Sequence, residues 1–187
     1  YLAVGVVLFS ASSYAAWRMF SHVQTRVTIW INPWSDPSGK GFQVIQGAYA
    51  LAWGGTTGTG PGLGIAGRIP ADESDFIFAV IGEELGLLGA TAVLCAFLLL
   101  AGSGLRVAQR SSDPFSSLLA VGLTTLIAFQ AFIIIAGVIR LLPLTGVTLP
   151  FVSYGGSSLV ANYILLALLI RISDQTARKT PEPLVAR

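Results

Sequence analysis

The stretch PFSSLLAVGLTTLIAFQAFIIIAGVI, residues 114–139, carries no charged side chain from end to end. Crossing about 30 Å of hydrocarbon takes roughly 20 apolar residues at 1.5 Å each, so this stretch is long enough to span a bilayer as one helix. Three further charge-poor runs surround it. Residues 1–17 are uncharged, residues 76–105 are apolar apart from Glu83 and Glu84, and residues 157–170 form a shorter run extensible back toward Phe151. The composition agrees: 53% of the 187 residues are hydrophobic, only 11% are charged, and the mean hydropathy is +0.74. Soluble domains carry about 25% charge. That deficit, with a net charge of only +2, argues against an ordinary soluble enzyme, a disordered segment or a nucleic-acid binder. The sequence therefore predicts an all-α, polytopic membrane helix bundle with about four transmembrane helices.

The breaks between runs set the topology. Pro143, Pro150 and the pair Gly155-Gly156 interrupt residues 141–156, which read as a loop. Four spans put the amino end, the connector 106–113 and the tail 171–187 on one side, and segments 18–75 and 140–156 on the other. Arg106, Arg110, Arg171, Arg178, Lys179 and Arg187 crowd the connector and tail, so that side is expected to be cytoplasmic. Arg18 and Arg26 pull the other way. The single Cys95 and single His22 exclude a disulfide framework and a His-pair metal motif within the chain, and Cys95 reads as a small buried hydrophobe.

The outer segment 18–75 is unusual. Residues 41–67 have no charge and hold nine glycines. Residues 42–53 fit a helix too short to span, hence re-entrant or interfacial. The glycines suit close approach of backbone to backbone or to a ligand, and the pattern of a phosphate-binding P-loop is absent. Packing loop and ligand-facing loop remain open alternatives.

Asp72, Glu73 and Asp75 stand where the second span begins. Helix capping is the plain reading; a carboxylate at the membrane border, flanked by Phe76 and Phe78, also has the surroundings of a tunable general base. On a helix continuous from Asp75, Gly82, Gly86 and Gly89 share its face, a small-residue stripe that would turn Asp75 toward protein. Glu84 would fall on the opposite face, roughly 13 Å further along. Glu83 and Glu84 read as structural pairs or as part of a polar path. Arg140, Arg68 and Lys40 are either interfacial anchors or contacts for phosphate, and a carboxylate among cations suits a lipid-linked pyrophosphate.

Three ordered motifs extend this reading: GFQVIQ (41–46), SDFIFAVIGEELG (74–86) and LPLTGVTLPFVSYGGSS (142–158). Together they closely resemble the FtsW/RodA/SpoVE family of bacterial shape, elongation, division and sporulation (SEDS) proteins. The overall likeness leans to the rod-shape, RodA-like elongation type. The family has more spans than this chain, so the resemblance implies a carboxyl-terminal half. It also implies a multi-pass protein of the bacterial cytoplasmic membrane that polymerises lipid II, the undecaprenyl-pyrophosphate-linked disaccharide pentapeptide, on the outer face. The implied partner is a class B penicillin-binding transpeptidase. The family's essential aspartate falls on Asp75, which would act as general base in an inverting glycosyl transfer. Substrate-binding candidates carried by the motifs and by the nearby cations are Arg68, Lys40, Gln43, Gln46, Ser153, Ser157 and Arg140. A divalent cation, Mg or Mn, is a candidate cofactor. No metal ligand is assigned, Asp75 being the one that could serve.

The chain also departs from the family pattern. Glu73-Ser74 replace a common His-Thr, Ile134-Ile135-Ala136 replace an Asn-x-Gly, and Arg140 stands where glycine is common. Two alternatives to polymerisation are a lipid II transporter with a polar path through Glu83, Glu84 and Arg140, and a non-catalytic scaffold for the transpeptidase.

Overall fold

The computed structural model describes residues 2–64 and 74–179, and among these there are seven α-helices and no strand. Helix α1 (Leu2–Met19) ends at Phe20, whose extended backbone (φ −114°, ψ 114°) starts α2 (Ser21–Ile31) at an angle of 100°. A 3₁₀ turn (Pro33–Ser35) follows. There Asp36 Oδ2 accepts from the Lys40 amide at 2.9 Å and so tightens the approach to α3 (Phe42–Gly54). Then come α4 (Ile77–Glu84), α5 (Gly86–Arg110), α6 (Pro114–Val138) and α7 (Gly156–Lys179). Helices α5, α6 and α7 are each long and apolar enough to cross a membrane, and the bent α1–α2 pair makes a fourth if counted as one span. The chain is an all-α polytopic membrane bundle.

Three expectations change. The run 76–105 is not one helix: it breaks at Leu85, and Gly86 takes φ 66°. The break leaves carbonyls at the end of α4 and amides at the start of α5 without helical partners. The glycine-rich loop supplies them. The Thr59 amide donates to Glu83 O (2.9 Å) and the Gly60 amide to Glu84 O (3.0 Å), while Gly55 O and Thr56 O accept from the Leu87 and Leu88 amides (3.0 and 3.2 Å). A Cβ on Gly54 would collide with Gly82 O, and one on Gly58 with Glu84 O. Of the two alternatives for this loop, the described part is therefore a packing loop. Secondly, Asp75 sits not on a helix but in the turn before α4, with Phe76 as N-cap, so the face-sharing with Gly82, Gly86 and Gly89 does not hold. Gly82 instead abuts Leu51 of α3. Thirdly, α7 continues past Ile170 to Lys179, where Asp174 pairs with Arg171 (3.6 Å) and Arg178 (3.0 Å) one turn either side.

Two apolar clusters hold the bundle. One joins Phe76, Phe78 and Ala79 to Ala50 of α3 and to Ala131, Ile134 and Val138 of α6; the other joins Ala108, Leu123 and Leu169 at the opposite end. Phe76 is 1% exposed, its ring lying where a Cβ on Gly47 would come within 2.8 Å, and this anchors the residue next to Asp75. Cys95 is exposed on α5, contrary to expectation. Apolar character on a membrane helix does not separate a lipid-facing side from a core-facing one.

Candidate active site

Asp75 opens onto a cavity of about 250 Å³ bounded by α2, the start of α3, the end of α6 and the loop 141–146. It is the one carboxylate among the described residues lining that cavity, and three cations share the lining: Arg26, Lys40 and Arg140. Asp75 enters no ion pair among the described residues, whose pairs centre on Asp174. Asp75 Oδ2 and an Arg26 Nη nonetheless approach one point, lying 3.3 and 3.2 Å from where a Cβ on Gly146 would sit. Gly146 has φ 69°, so the position favours glycine by backbone and by space alike.

Each cation is held by its own element. Arg26 Nη1 donates to Leu144 O at 2.6 Å, tying α2 to the 141–146 loop. Lys40 Nζ reaches Thr25 Oγ1 at 3.5 Å. Arg140 and Trp30 are linked twice: Trp30 Nε1 donates to Arg140 O (2.9 Å) and Arg140 Nη2 to Trp30 O (3.2 Å). Arg140 has φ 62°, a left-handed conformation costing a bulky residue about 1–2 kcal/mol. That geometry explains why a glycine suits this position. Its Nε is buried without a hydrogen-bond partner among the described residues.

The structure sorts the remaining sequence candidates. Gln43 lines the cavity, whereas Gln46 does not. Ser153 is buried away from it and works on the backbone: its hydroxyl donates to Ser74 O (2.6 Å) and accepts from the Leu149 amide (2.7 Å). It braces the turn carrying Asp75 and does not line the cavity. Ser157 is exposed at the start of α7 and outside the cavity. Arg68, Asp72 and Glu73 lie outside the described residues. Glu84 Oε1 accepts from the Gly62 amide at 3.0 Å, and Glu83 is buried against Gly64. Neither glutamate lines the cavity with Arg140. Arg26, missed as a site residue, belongs with Thr25, Ile29 and Trp30 to one face of α2. That i, i+3, i+4 spacing is visible in the sequence once 21–31 is read as helix.

Among the described residues no three His, Cys, Asp or Glu side chains cluster, and Asp75 is surrounded by cations.

A family model described as a cell cycle protein family, FtsW/RodA/SpoVE, matches residues 1–178. The chain belongs to this family. It is similar to the peptidoglycan glycosyltransferase RodA of Mycobacterium tuberculosis (48% identity over 178 residues, 95% of this chain and 38% of that protein). It is also similar to the stage V sporulation protein E of Bacillus subtilis and to a probable peptidoglycan glycosyltransferase FtsW of Geobacter sulfurreducens. Each of these is 44% identical over 152 residues, covering 79% and 80% of this chain and 41% of the relative. The fold superposes on a chain from a solved structure described as the structural coordination of polymerization and crosslinking by a peptidoglycan synthase complex. That match has a TM-score of 0.76 and 27% identity, over 95% of this chain and 50% of that one. The chain thus spans about two fifths of the length of the curated FtsW/RodA/SpoVE relatives it matches. The lean to the RodA type agrees with these relatives.

Proposed function

We propose that this chain is part of a peptidoglycan glycosyltransferase of the rod-shape elongation type, and that its Asp75 cavity is where lipid II is polymerised. The observation that carries the proposal is one carboxylate facing Arg26, Lys40 and Arg140 across a single cavity. A glycosyl transfer from a lipid pyrophosphate needs these opposed charges. The Asp75 carboxylate takes the proton of the acceptor sugar 4-hydroxyl as that oxygen attacks the donor anomeric carbon. The bond from that carbon to the pyrophosphate oxygen breaks on the opposite face, so an α-linked donor gives a β-1,4 product. Undecaprenyl pyrophosphate departs with the bonding pair, and the three cations meet its growing negative charge. A pyrophosphate held by the Arg26 and Arg140 guanidinium groups would leave the Asp75 carboxylate free to face the acceptor hydroxyl. The transpeptidase expected as partner would act on the glycan strand as it leaves.

The test is a gel assay of glycan polymer made from lipid II by the purified full-length protein with its transpeptidase. Arg26→Gln is expected to lower the rate about 10²-fold, the scale of losing one charge-stabilising donor in the transition state. Arg18→Gln, in an exposed residue at the end of α1, should leave the rate unchanged. Equal losses in both variants, or in neither, would remove Arg26 from the mechanism.

The same proposal places the cavity on the outer face of the cytoplasmic membrane. In a Cys95→Ala background, Thr57→Cys should react with an impermeant maleimide in intact cells, and Ser112→Cys only after lysis. Both positions are exposed. The reverse pattern would put the cavity in the cytosolic half.

A further inference from the structure

A second cavity, of about 540 Å³, opens between the last turns of α5 and the carboxyl half of α7. Arg106 and Arg110, one helical turn apart on α5, line it with Ser103, Ser173 and Thr176, and no carboxylate is among the described lining residues. A groove of about 300 Å³ runs on from it between the same helices. The two share Ser103, Val107 and Ser173, and the groove is otherwise walled by Leu100, Leu166, Leu169 and Ile170 with Gly104. The site is remote from Asp75: Pro114 and Val138 bound the opposite ends of α6, about 35 Å apart.

The chemistry of the two parts is complementary to one kind of molecule. Both arginines are exposed; Arg106 makes only long local contacts, to Gly102 O and Ser103 Oγ at 3.3 Å each. The nearest carboxylate along α7, Asp174, is already engaged by Arg171 and Arg178. Neither arginine enters an ion pair among the described residues, and Asp113, the carboxylate of the adjoining connector, accepts from Ser116. The two arginines thus present positive charge where the charge-free part of α5 ends, at the bilayer border, and the groove leads from them along the apolar helices. We propose that this composite site holds one anionic phospholipid, its phosphate against Arg106 and Arg110 and an acyl chain in the leucine-lined groove. Basic pockets between transmembrane helices recognise such headgroups. Free phosphate would satisfy the arginines but leave the groove empty, so the groove assigns the ligand to the lipid.

The experiment is native mass spectrometry of the purified full-length protein. It is equilibrated with equal amounts of phosphatidylglycerol and phosphatidylcholine of matched chain length. Phosphatidylglycerol should be retained about tenfold over phosphatidylcholine. Arg106→Gln with Arg110→Gln should abolish the preference. Arg18→Gln with Arg171→Gln, which removes equal charge outside the cavity and leaves Asp174 paired with Arg178, should preserve it. Leu166→Trp, which fills the groove and keeps both arginines, should also lower retention, and millimolar inorganic phosphate should not displace the lipid. No preference in the wild-type protein would show the site covered by another part of the chain and overturn the proposal. So would equal loss in the two arginine pairs, unchanged retention in Leu166→Trp, or displacement by phosphate. Glycan synthesis does not enter the readout, so failure here is separate from failure of the polymerase reading.

Discussion

Asp75→Asn in the full-length protein is expected to lower the rate of lipid II polymerisation by about 10²–10⁴-fold, the contribution of a positioned general base. The exchange keeps size and shape and removes only the proton-accepting charge. Phe76, buried against Gly47, and Ser153, bonded to Ser74 O, fix the turn that carries the residue, and neither contact uses the carboxylate. Folding and expression should therefore be unchanged. Lipid II should still bind, since Arg26, Lys40 and Arg140 remain in the cavity. An Asn variant that polymerises within a few-fold of wild type would assign the base elsewhere.

The second large effect concerns the fold. Gly58→Ala is expected to destabilise the protein by about 2–5 kcal/mol, combining the cost of a left-handed residue with overpacking against backbone that cannot move aside. Gly58 has φ 84°, and its Cβ would strike Glu84 O at the break between α4 and α5. The neighbouring bonds that close the break, from Thr59 and Gly60 to Glu83 and Glu84, would have to part to admit a methyl group. Gly62→Ala separates the two contributions: Gly62 also has positive φ (73°), but nothing lies within 4 Å of its Cβ position. Its loss should be limited to about 1–2 kcal/mol. Thermal unfolding in detergent compares them, and equal losses would mean that close packing at the break is not what the glycine serves.

The parts legible in the sequence are those set by local composition. Helices α5, α6 and α7 follow from apolar runs long enough to span, and Asp75 stood out as a carboxylate at the edge of such a run. The break at Leu85 was hidden because the groups that satisfy it come from residues 55–60, some 25 or more positions upstream, and nothing near Leu85 encodes them. Arg26 was hidden for a related reason. Its value depends on the 100° turn at Phe20 and on a carbonyl 118 residues away. Ser153 and Ser157 look alike in the sequence, four positions apart. Only packing shows that one is buried in a backbone brace while the other faces outward. Arg140 is a charged residue on a left-handed backbone that suits glycine, and no local sequence pattern encodes that conformation.

The cavity's role is tested most directly by cryo-electron microscopy of the full-length protein bound to a lipid II analogue that cannot react. The expected map places the pyrophosphate against Arg26, Lys40 and Arg140, with the acceptor 4-hydroxyl about 2.6–3.2 Å from the Asp75 carboxylate. A pyrophosphate bound elsewhere, with Asp75 turned toward the acyl chains, would contradict it.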